Sequence, residues 1–361
     1  MATIDLYKPQ FMMKMVKQIT PFYTFLKDTF FRTQQTFITE SVMYDFQKNG
    51  LAMAPFVSKH IGGQVVEREG FITKEFTPPL VGPMRPLTSD VLEARLPGEA
   101  IFSGNSPDKR KAVILQNDMR ELDESITRRE EWMAAQALFQ GVILAVGIGV
   151  KATIDFEFEN NMVAPVPWSD HVNADPLRDL RDARRIAARS GYSPNVLIAD
   201  TKTIDDLIDN NRLQRFLDNS GMRIGIIEPR FMKNGGQYHG FLRQVGLDVY
   251  SYDGEFVDNE NENPDRPGIM PGERGFIPKV YDLIPSGKVF VGSTNMPTRM
   301  LYGGVNHIIR IGAKDEPRVP HTWENEMGTM RSLVMYSRPL PCPLNVSSWV
   351  ILDVKKGKGR G

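Results

Sequence analysis

SPDKRKAVILQNDMRELDESITRREEWMAAQALFQG, residues 106–141, is the stretch that decides the fold. Ser106 is a helix-capping residue type, Pro107 suits the first helical position, and Asp108 places a negative charge at the positive end of the helix dipole. No glycine or proline follows until Gly141, a residue type that commonly terminates helices. The sequence therefore predicts one uninterrupted helix over 107–140, roughly 50 Å long.

This helix is predicted to carry a single apolar stripe. Its large apolar residues recur at spacings of three, four or seven: Leu115, Met119, Leu122, Ile126, Met133 and Ala137. The other side is charged, and Glu124 precedes Arg128 by four residues, the favourable order for an ion pair. Glu130 and Glu131 are adjacent and diverge by about 100° around the axis, so we do not expect a catalytic carboxylate pair.

Residues 60–102, upstream of the helix, lack helical periodicity. They contain an alternating stretch at 64–76 and several prolines, which predicts extended chain in a long two-stranded excursion. Residues 40–58, just before it, are predicted as mixed strand and turn. Such a long excursion is unusual in a compact enzyme, whereas an arm that pairs with a neighbouring subunit would use its exposed strand edges.

The N-terminal residues 6–27 combine four lysines with interleaved aromatic residues and contain no acid. Two interpretations stay open: a basic arm that clamps a neighbour or touches nucleic acid, and an ordinary first helix with a buried aromatic face. Pro21 is expected to divide the segment into two short helices.

The region 160–310, downstream of the long helix, is predicted to form a mixed α/β lobe. An alternating strand at 150–158 precedes it. Helices are expected from Asp175-Pro176 to Gly191 and in a pair around Asn210-Asn211. The remaining predictions are strands at 196–199, 247–252, 288–291 and 307–311, a polar loop at 253–275, late strands at 330–336 and 347–354 that pair with earlier ones, and a basic tail at 355–361.

Composition narrows the class of protein. With 361 residues, two lobes or one elaborated domain are expected. Lys+Arg and Asp+Glu are both 44, and this zero net charge does not suit a dedicated nucleic-acid binder. Cys342 is the single cysteine, which excludes an intrachain disulfide and a cysteine zinc site. No signal-peptide pattern opens the chain, and the longest apolar run, 142–150, is too short to cross a bilayer, so a soluble protein used inside a cell is expected.

No motif for catalysis, cofactor binding or metal binding emerges. None of the five histidines is three or four residues from another, and His-Glu-x-x-His, Gly-x-Ser-x-Gly and Walker motifs are absent. Gly147, Gly149 and Ala152 match a dinucleotide fingerprint by letter but lead into a strand instead of a helix. The acid-rich stretch 253–265 lacks the glycine and terminal glutamate of a calcium loop. We therefore predict no catalytic, cofactor-binding or metal-ligating residues, and no enzyme.

The order of these elements resembles the Hong Kong 97-like capsid fold, an α+β fold with an N-arm, an E-loop, a spine helix, a peripheral domain and an axial domain. Short stretches of the amino-acid sequence resemble the lambda-type branch of tailed-phage major capsid proteins, at scattered positions in family order over most of the chain. The matching stretches are RREEWMAAQAL at 128–138 with Gly141, LAMAPFV at 51–57, DPL at 175–177 followed by Asp179-Leu180, and SRPLP at 337–341. Residues 253–279 and the tail after Val354 depart from the family pattern.

The resemblance implies a division of the chain into parts. These are an N-terminal arm and start of the peripheral domain at 1–58, an extended E-loop at 59–104, the peripheral domain with the spine helix at 105–160, the axial domain at 161–312, peripheral return strands at 313–354, and a basic flexible tail at 355–361.

The resemblance also implies a self-assembling head protein that forms the pentamers and hexamers of an icosahedral shell around double-stranded DNA. Its implied partners are copies of itself, a separate scaffolding protein, a portal at one vertex, a cement or decoration protein, and DNA contacted without sequence specificity, with no membrane. The implied location is the virion, assembled from a procapsid in the bacterial cytoplasm. Two alternatives are another virion structural subunit and an α/β hydrolase-type enzyme, which would need a pocket of converging titratable groups.

Overall fold

The computed structural model describes residues 12, 15–16, 24–47, 71–88, 91, 107–147, 150–219, 230–231, 235–261, 278–305, 316–326 and 329–355. Its helices, α1 to α5 in chain order, are Leu26–Phe30, Pro107–Phe139, Pro176–Ala188, Thr201–Ile208 and Asn211–Asn219. A short 3₁₀ turn spans Val346–Ser348. The predicted long helix, the helix after Asp175 and the helix pair around Asn210 are confirmed.

The strands agree less closely with the predictions than the helices do. In chain order, β1 to β19 are Gln34–Thr36, Val42–Gln47, Phe71–Phe76, Met84–Thr88, Val142–Gly147, Val150–Asp155, Asn161–Val163, Val196–Ala199, Arg230–Phe231, Gln237–Leu242, Leu247–Ser251, Glu255–Asn261, Pro278–Asp282, Lys288–Gly292, Thr298–Tyr302, Val319–Glu324, Met330–Tyr336, Pro339–Pro343 and Val350–Asp353. The predicted strand at 307–311 and the tail beyond Lys355 lie outside the described residues.

Helix α2 ends at Phe139, one residue short of the predicted end and two residues before Gly141. Gly141 has φ +71°, and a Cβ at this position would lie 2.3 Å from Cβ of Phe158. Its N–H donates to the carbonyl of Gln136 at 3.1 Å, so the glycine closes the helix in the left-handed conformation. The predicted apolar stripe from Leu115 to Ala137 is buried along its whole length.

A seven-stranded mixed sheet, in the order β7-β19-β14-β8-β11-β10-β9, forms the centre of the α/β lobe. Alternate residues of β8 serve two cores: Val196 and Ile198 pack toward the C-terminal half of α2, whereas Leu197 and Ala199 pack toward α3. Because both faces are covered, β8 is a continuous apolar run with all four residues buried.

A second, smaller sheet covers the N-terminal half of α2. It has the order β16-β17-β4, and Leu87, Leu333 and Met335 contact the helix stripe between Ile114 and Ile126. Met12, which is helical and buried, joins the same cluster with Met15 and Val16 beside it. The aromatic residues Tyr7, Phe11, Phe22 and Tyr23 of the N-terminal segment 6–27 lie outside the described residues, so its predicted aromatic face stays a prediction. A third sheet, β1-β15-β18, packs on the C-terminal half of α2.

Three two-stranded ribbons complete the described fold: β2–β3, β5–β6 and β12–β13, each antiparallel. The excursion predicted for 60–102 is therefore partly wrong. Strand β3 pairs with β2, which precedes that segment, β4 joins β17 instead of β3, and Val91 is helical. Partners far along the chain, which local alternation cannot identify, determine this pairing.

Two further predictions need correction. Residues 255–261 were predicted as part of a polar loop but form strand β12, because Phe256 stacks on Tyr281 of β13 with ring centroids 5.0 Å apart. The late strand predicted from Ser347 begins at Val350, after the 3₁₀ turn. This strand, β19, pairs with β14 in the α/β lobe.

Candidate functional site

Two adjacent carboxylates, Glu130 and Glu131, are buried in the middle of the described fold, with 0% and 3% of their surface exposed. An ionised carboxylate requires compensating partners when it is removed from water. Since neighbouring positions on a helix diverge by about 100°, the two side chains reach different parts of the chain. The sequence analysis considered these two residues only as a possible catalytic pair and did not predict their burial.

Glu130 is the centre of an ion network between three elements. Lys27 of α1 donates its Nζ hydrogen to Oε2 of Glu130 at 2.6 Å. Arg318, just before β16, donates from Nη1 to Oε1 of Glu130 at 2.6 Å and from Nε to Oδ1 of Asp123 at 2.7 Å. The Arg318 guanidinium also donates to Thr127 Oγ1 and Ser337 Oγ, both at 3.2 Å. The network joins α1, α2 and the sheet β16-β17-β4.

The two cations determine the titration of Glu130. Burial alone would raise the pKa of this carboxyl group, but the charges and hydrogen bonds of Arg318 and Lys27 outweigh burial and lower the pKa from 4.5 to about 2. Burial also raises the pKa of the neighbouring Tyr302 phenol, helped by the negative charge of Glu130. Glu130 is therefore ionised, and the phenol neutral, at physiological pH.

Glu131 makes its contacts with backbone N–H groups. Its Oε1 accepts hydrogen bonds from the N–H groups of Phe25 at 3.0 Å and Leu26 at 2.7 Å, and its Oε2 accepts one from Lys27 at 2.8 Å. Burial raises the pKa of this carboxyl group, against the lowering effect of these bonds and of the Tyr252 hydroxyl. Both glutamates thus hold the N-terminal segment against α2, with opposite effects on their titration.

The three ribbons expose apolar side chains that a monomer would normally cover. Met43 on β2–β3, Val146 on β5–β6 and Val257 on β12–β13 are 66%, 67% and 60% exposed, and Val280 lies directly opposite Val257. Isolated two-stranded ribbons are at best marginally stable in water, and exposed apolar groups in such positions mark contact surfaces. These ribbons are the candidate assembly surfaces.

The described histidines are dispersed. His171 lies 3.1 Å from Asp206, His239 bonds to Ser251 at 2.8 Å, and His321 packs beside Trp323. Burial lowers the pKa of His239. His60 and His307 lie outside the described residues, and within the described ranges no group of three metal-ligating side chains is found.

The other residues considered for chemistry have structural roles. Gly147 and Val150 pair at the end of the β5–β6 hairpin, as expected for a chain that leads into a strand and not into a helix. Asp253, in the acid-rich stretch, accepts a hydrogen bond from the N–H of Thr201 at 2.8 Å at the start of α4. Cys342 is free and fully buried in the core. Among the described helices none is long and apolar enough to span a membrane.

Comparison with known proteins gives consistent matches along nearly the whole chain. The model of the phage major capsid protein E family matches residues 10–354. The major capsid protein of Escherichia phage lambda is 25% identical over 331 residues, which cover 86% of this chain and 88% of that protein. The major capsid protein of Enterobacteria phage P21 is 27% identical over 354 residues, which cover 94% and 96%.

A solved structure also matches the fold of this chain. The crystal structure of a protein described as a prophage capsid protein of Escherichia coli CFT073 superimposes with a TM-score of 0.67 and 17% sequence identity, covering 96% of this chain and 98% of that one. This likeness confirms the predicted α+β, Hong Kong 97-like architecture.

Proposed function

Because this chain belongs to the phage major capsid protein E family and is a major capsid protein of the lambda type, we propose that its copies associate as pentamers and hexamers to close an icosahedral shell around double-stranded DNA. The observation that carries the assembly mode is the set of three ribbons with exposed apolar side chains. In the shell, each ribbon packs against the surface of a neighbouring copy, and this contact buries the apolar side chains that are exposed in the single chain.

In this proposal the chain acts as a structural subunit, with no catalytic, cofactor-binding or metal-ligating site among the residues that the structure describes. Membership of a capsid family supports this role. The buried carboxylates support it too, because Glu130 and Glu131 are occupied by Arg318, Lys27 and backbone N–H groups and not directed into a substrate cleft. They stabilise the subunit that the shell requires.

The division into parts gives each region a task in this proposal. Residues 1–58 form the N-terminal arm and the start of the peripheral domain, and 59–104 reach neighbouring copies. Residues 105–160 brace the subunit through α2, and 161–312 meet around the capsomer axis, with 350–353 added to this lobe by their pairing with β14. Residues 313–349 form the return strands, and 355–361 form a basic tail that contacts phosphates without sequence specificity.

The remaining partners belong to the same proposal. A separate scaffolding protein guides a rounded procapsid in the bacterial cytoplasm, a portal occupies one vertex, and a cement protein binds after the shell expands around incoming DNA. The mature location is the virion.

Ribbon variants test the assembly mode. We expect Val146→Lys and Val257→Lys to abolish closed shells, seen by electron microscopy after expression with the neighbouring phage genes, while the melting temperature of the subunit stays the same. Val113→Lys is the matched control, since Val113 is 46% exposed but lies on α2, outside the ribbons and outside the lobe that meets the capsomer axis, and it should leave closed shells. Closed shells from both ribbon variants would contradict the role of the ribbons, and a uniform monomer of the unmodified chain would contradict shell assembly.

A further inference from the structure

Residues 24–31, here called the clasp, contact both α2 and the α/β lobe. On the helix side, the carboxylate of Glu131 accepts N–H bonds from three consecutive clasp residues, and Lys27 pairs with Glu130. On the lobe side, the Phe25 ring lies 5.8 Å from the ring of Tyr250 on β11 and 5.2 Å from that of Tyr252. The clasp therefore connects α2 with the α/β lobe.

The side chains of the clasp pack closely against the lobe. Phe25 is 2% exposed, and a Cβ on Gly236, next to β10, would lie 2.6 Å from its ring, so a larger residue at position 236 would displace the ring. Farther along the clasp, the Phe30 ring meets Phe290 of β14 edge-on at 5.1 Å, and Thr298 donates to the carbonyl oxygen of Phe30.

Glu131 connects the two sides directly. Besides the clasp N–H groups, it accepts a hydrogen bond from the hydroxyl of Tyr252, which follows β11 of the lobe. One side chain of α2 thus holds the clasp and the lobe at the same point.

The C-terminal end of α2 makes a separate attachment to the lobe. Trp349 donates from Nε1 to the carbonyl of Leu138 at 2.9 Å, and the rings of Phe139 and Phe290 lie 5.9 Å apart. The position of Glu131 is roughly 12 Å earlier on the helix axis. The lobe thus packs directly on the last turns of α2, and the clasp adds a contact at the N-terminal end of this region, which restricts rotation of the lobe relative to the helix.

We propose that the clasp sets the angle between the long helix and the α/β lobe, with Glu131 as the positioning residue. Without the clasp, the lobe rotates about its remaining direct contacts with the last turns of α2. This inference rests on the proposed function for its purpose, because neighbouring copies close a shell only when helix and lobe keep a defined angle.

A distance measurement tests the clasp in the full chain. Spin labels on Val113→Cys of α2 and Val172→Cys of the lobe report the angle by double electron–electron resonance, since both positions are exposed and the natural Cys342 is buried. Labelled chains are diluted with unlabelled chains, so that each distance is within one subunit. We expect Glu131→Gln and Phe25→Leu to shift or broaden the distance distribution.

Glu124→Gln is the matched control on the same helix, because Glu124 pairs with the surface arginines Arg120 and Arg128, and it should leave the distribution unchanged. Hydrogen exchange supplies the second readout: the amides of Phe25, Leu26 and Lys27 should lose protection in Glu131→Gln. An unchanged distance with lost protection would overturn the clasp as the determinant of the angle. The measurement does not require shells, so failure of assembly would count against the proposed function and not against the clasp.

Discussion

Substituting Arg318 tests the ion network that joins α1, α2 and the sheet β16-β17-β4. Arg318→Met keeps much of the side-chain volume but leaves the fully buried Glu130 with Lys27 as its one cationic partner among the described residues. Removing one partner of a buried pair costs about 3–5 kcal/mol, because the remaining charge stays desolvated. We expect the free energy of unfolding to fall by this amount.

A surface arginine gives the matched control. Arg85 bridges Asp118, at 3.6 Å, and Glu121 on the same helix, but 47% of its side chain is exposed. Arg85→Met should cost no more than about 1 kcal/mol, the usual range for solvent-exposed pairs. The assay is urea unfolding of the unassembled chain, followed by tryptophan fluorescence.

A double-mutant cycle decides whether the network acts as a unit. Glu130→Gln alone leaves Lys27 and Arg318 without their shared carboxylate, whereas Glu130→Gln combined with Arg318→Met removes both charges of the pair. The double variant should therefore lose clearly less than the sum of the single losses. Additive losses within about 0.5 kcal/mol, or a cost for Arg318→Met no larger than that for Arg85→Met, would refute the reasoning.

Three further outcomes are expected. Since the pKa of Glu130 falls from 4.5 to about 2 on folding, the stabilising effect of its charge is complete above pH 4.5 and is lost as the pH falls toward 2. Glu130→Gln should therefore make the free energy of unfolding less dependent on pH in that window. An unchanged pH dependence would contradict the network. Gly141→Ala should lower stability by at least about 1 kcal/mol in urea unfolding, because φ is positive and the new Cβ meets Phe158, whereas Gly147→Ala, with no atom within 4 Å of its Cβ, should not. Burial raises the pKa of the Cys342 thiol to about 12, so maleimide should label this thiol only after unfolding. Rapid labelling of the folded chain would contradict the burial of Cys342.

The long helix could be predicted because its signals are local. A proline at the first position, an unbroken apolar stripe and a terminal glycine all lie within the segment 106–141. The helix from Pro176 is similar, with Asp175 accepting a hydrogen bond from the N–H of Arg178 at its start. In both cases the residues that determine the element are its own.

The buried network could not be predicted because its members are far apart in the sequence. Arg318 lies 188 positions from Glu130 and Lys27 lies 103, and no local pattern separates these charges from those on an exposed helix face. Strand β12 was missed for a related reason. Its acidic composition is typical of loops, but Phe256 stacks on Tyr281 and contacts Trp132 of α2, and these contacts exist only after folding.

A cryo-electron microscopy map of the particles formed by the unmodified chain, expressed with its neighbouring phage genes, tests the central claim most directly. The account predicts closed icosahedral shells of pentamers and hexamers in which Met43, Val146 and Val257 are covered by adjacent copies. Closed shells with these three side chains facing solvent would contradict the ribbon contacts, and the absence of closed shells would contradict the assembly itself.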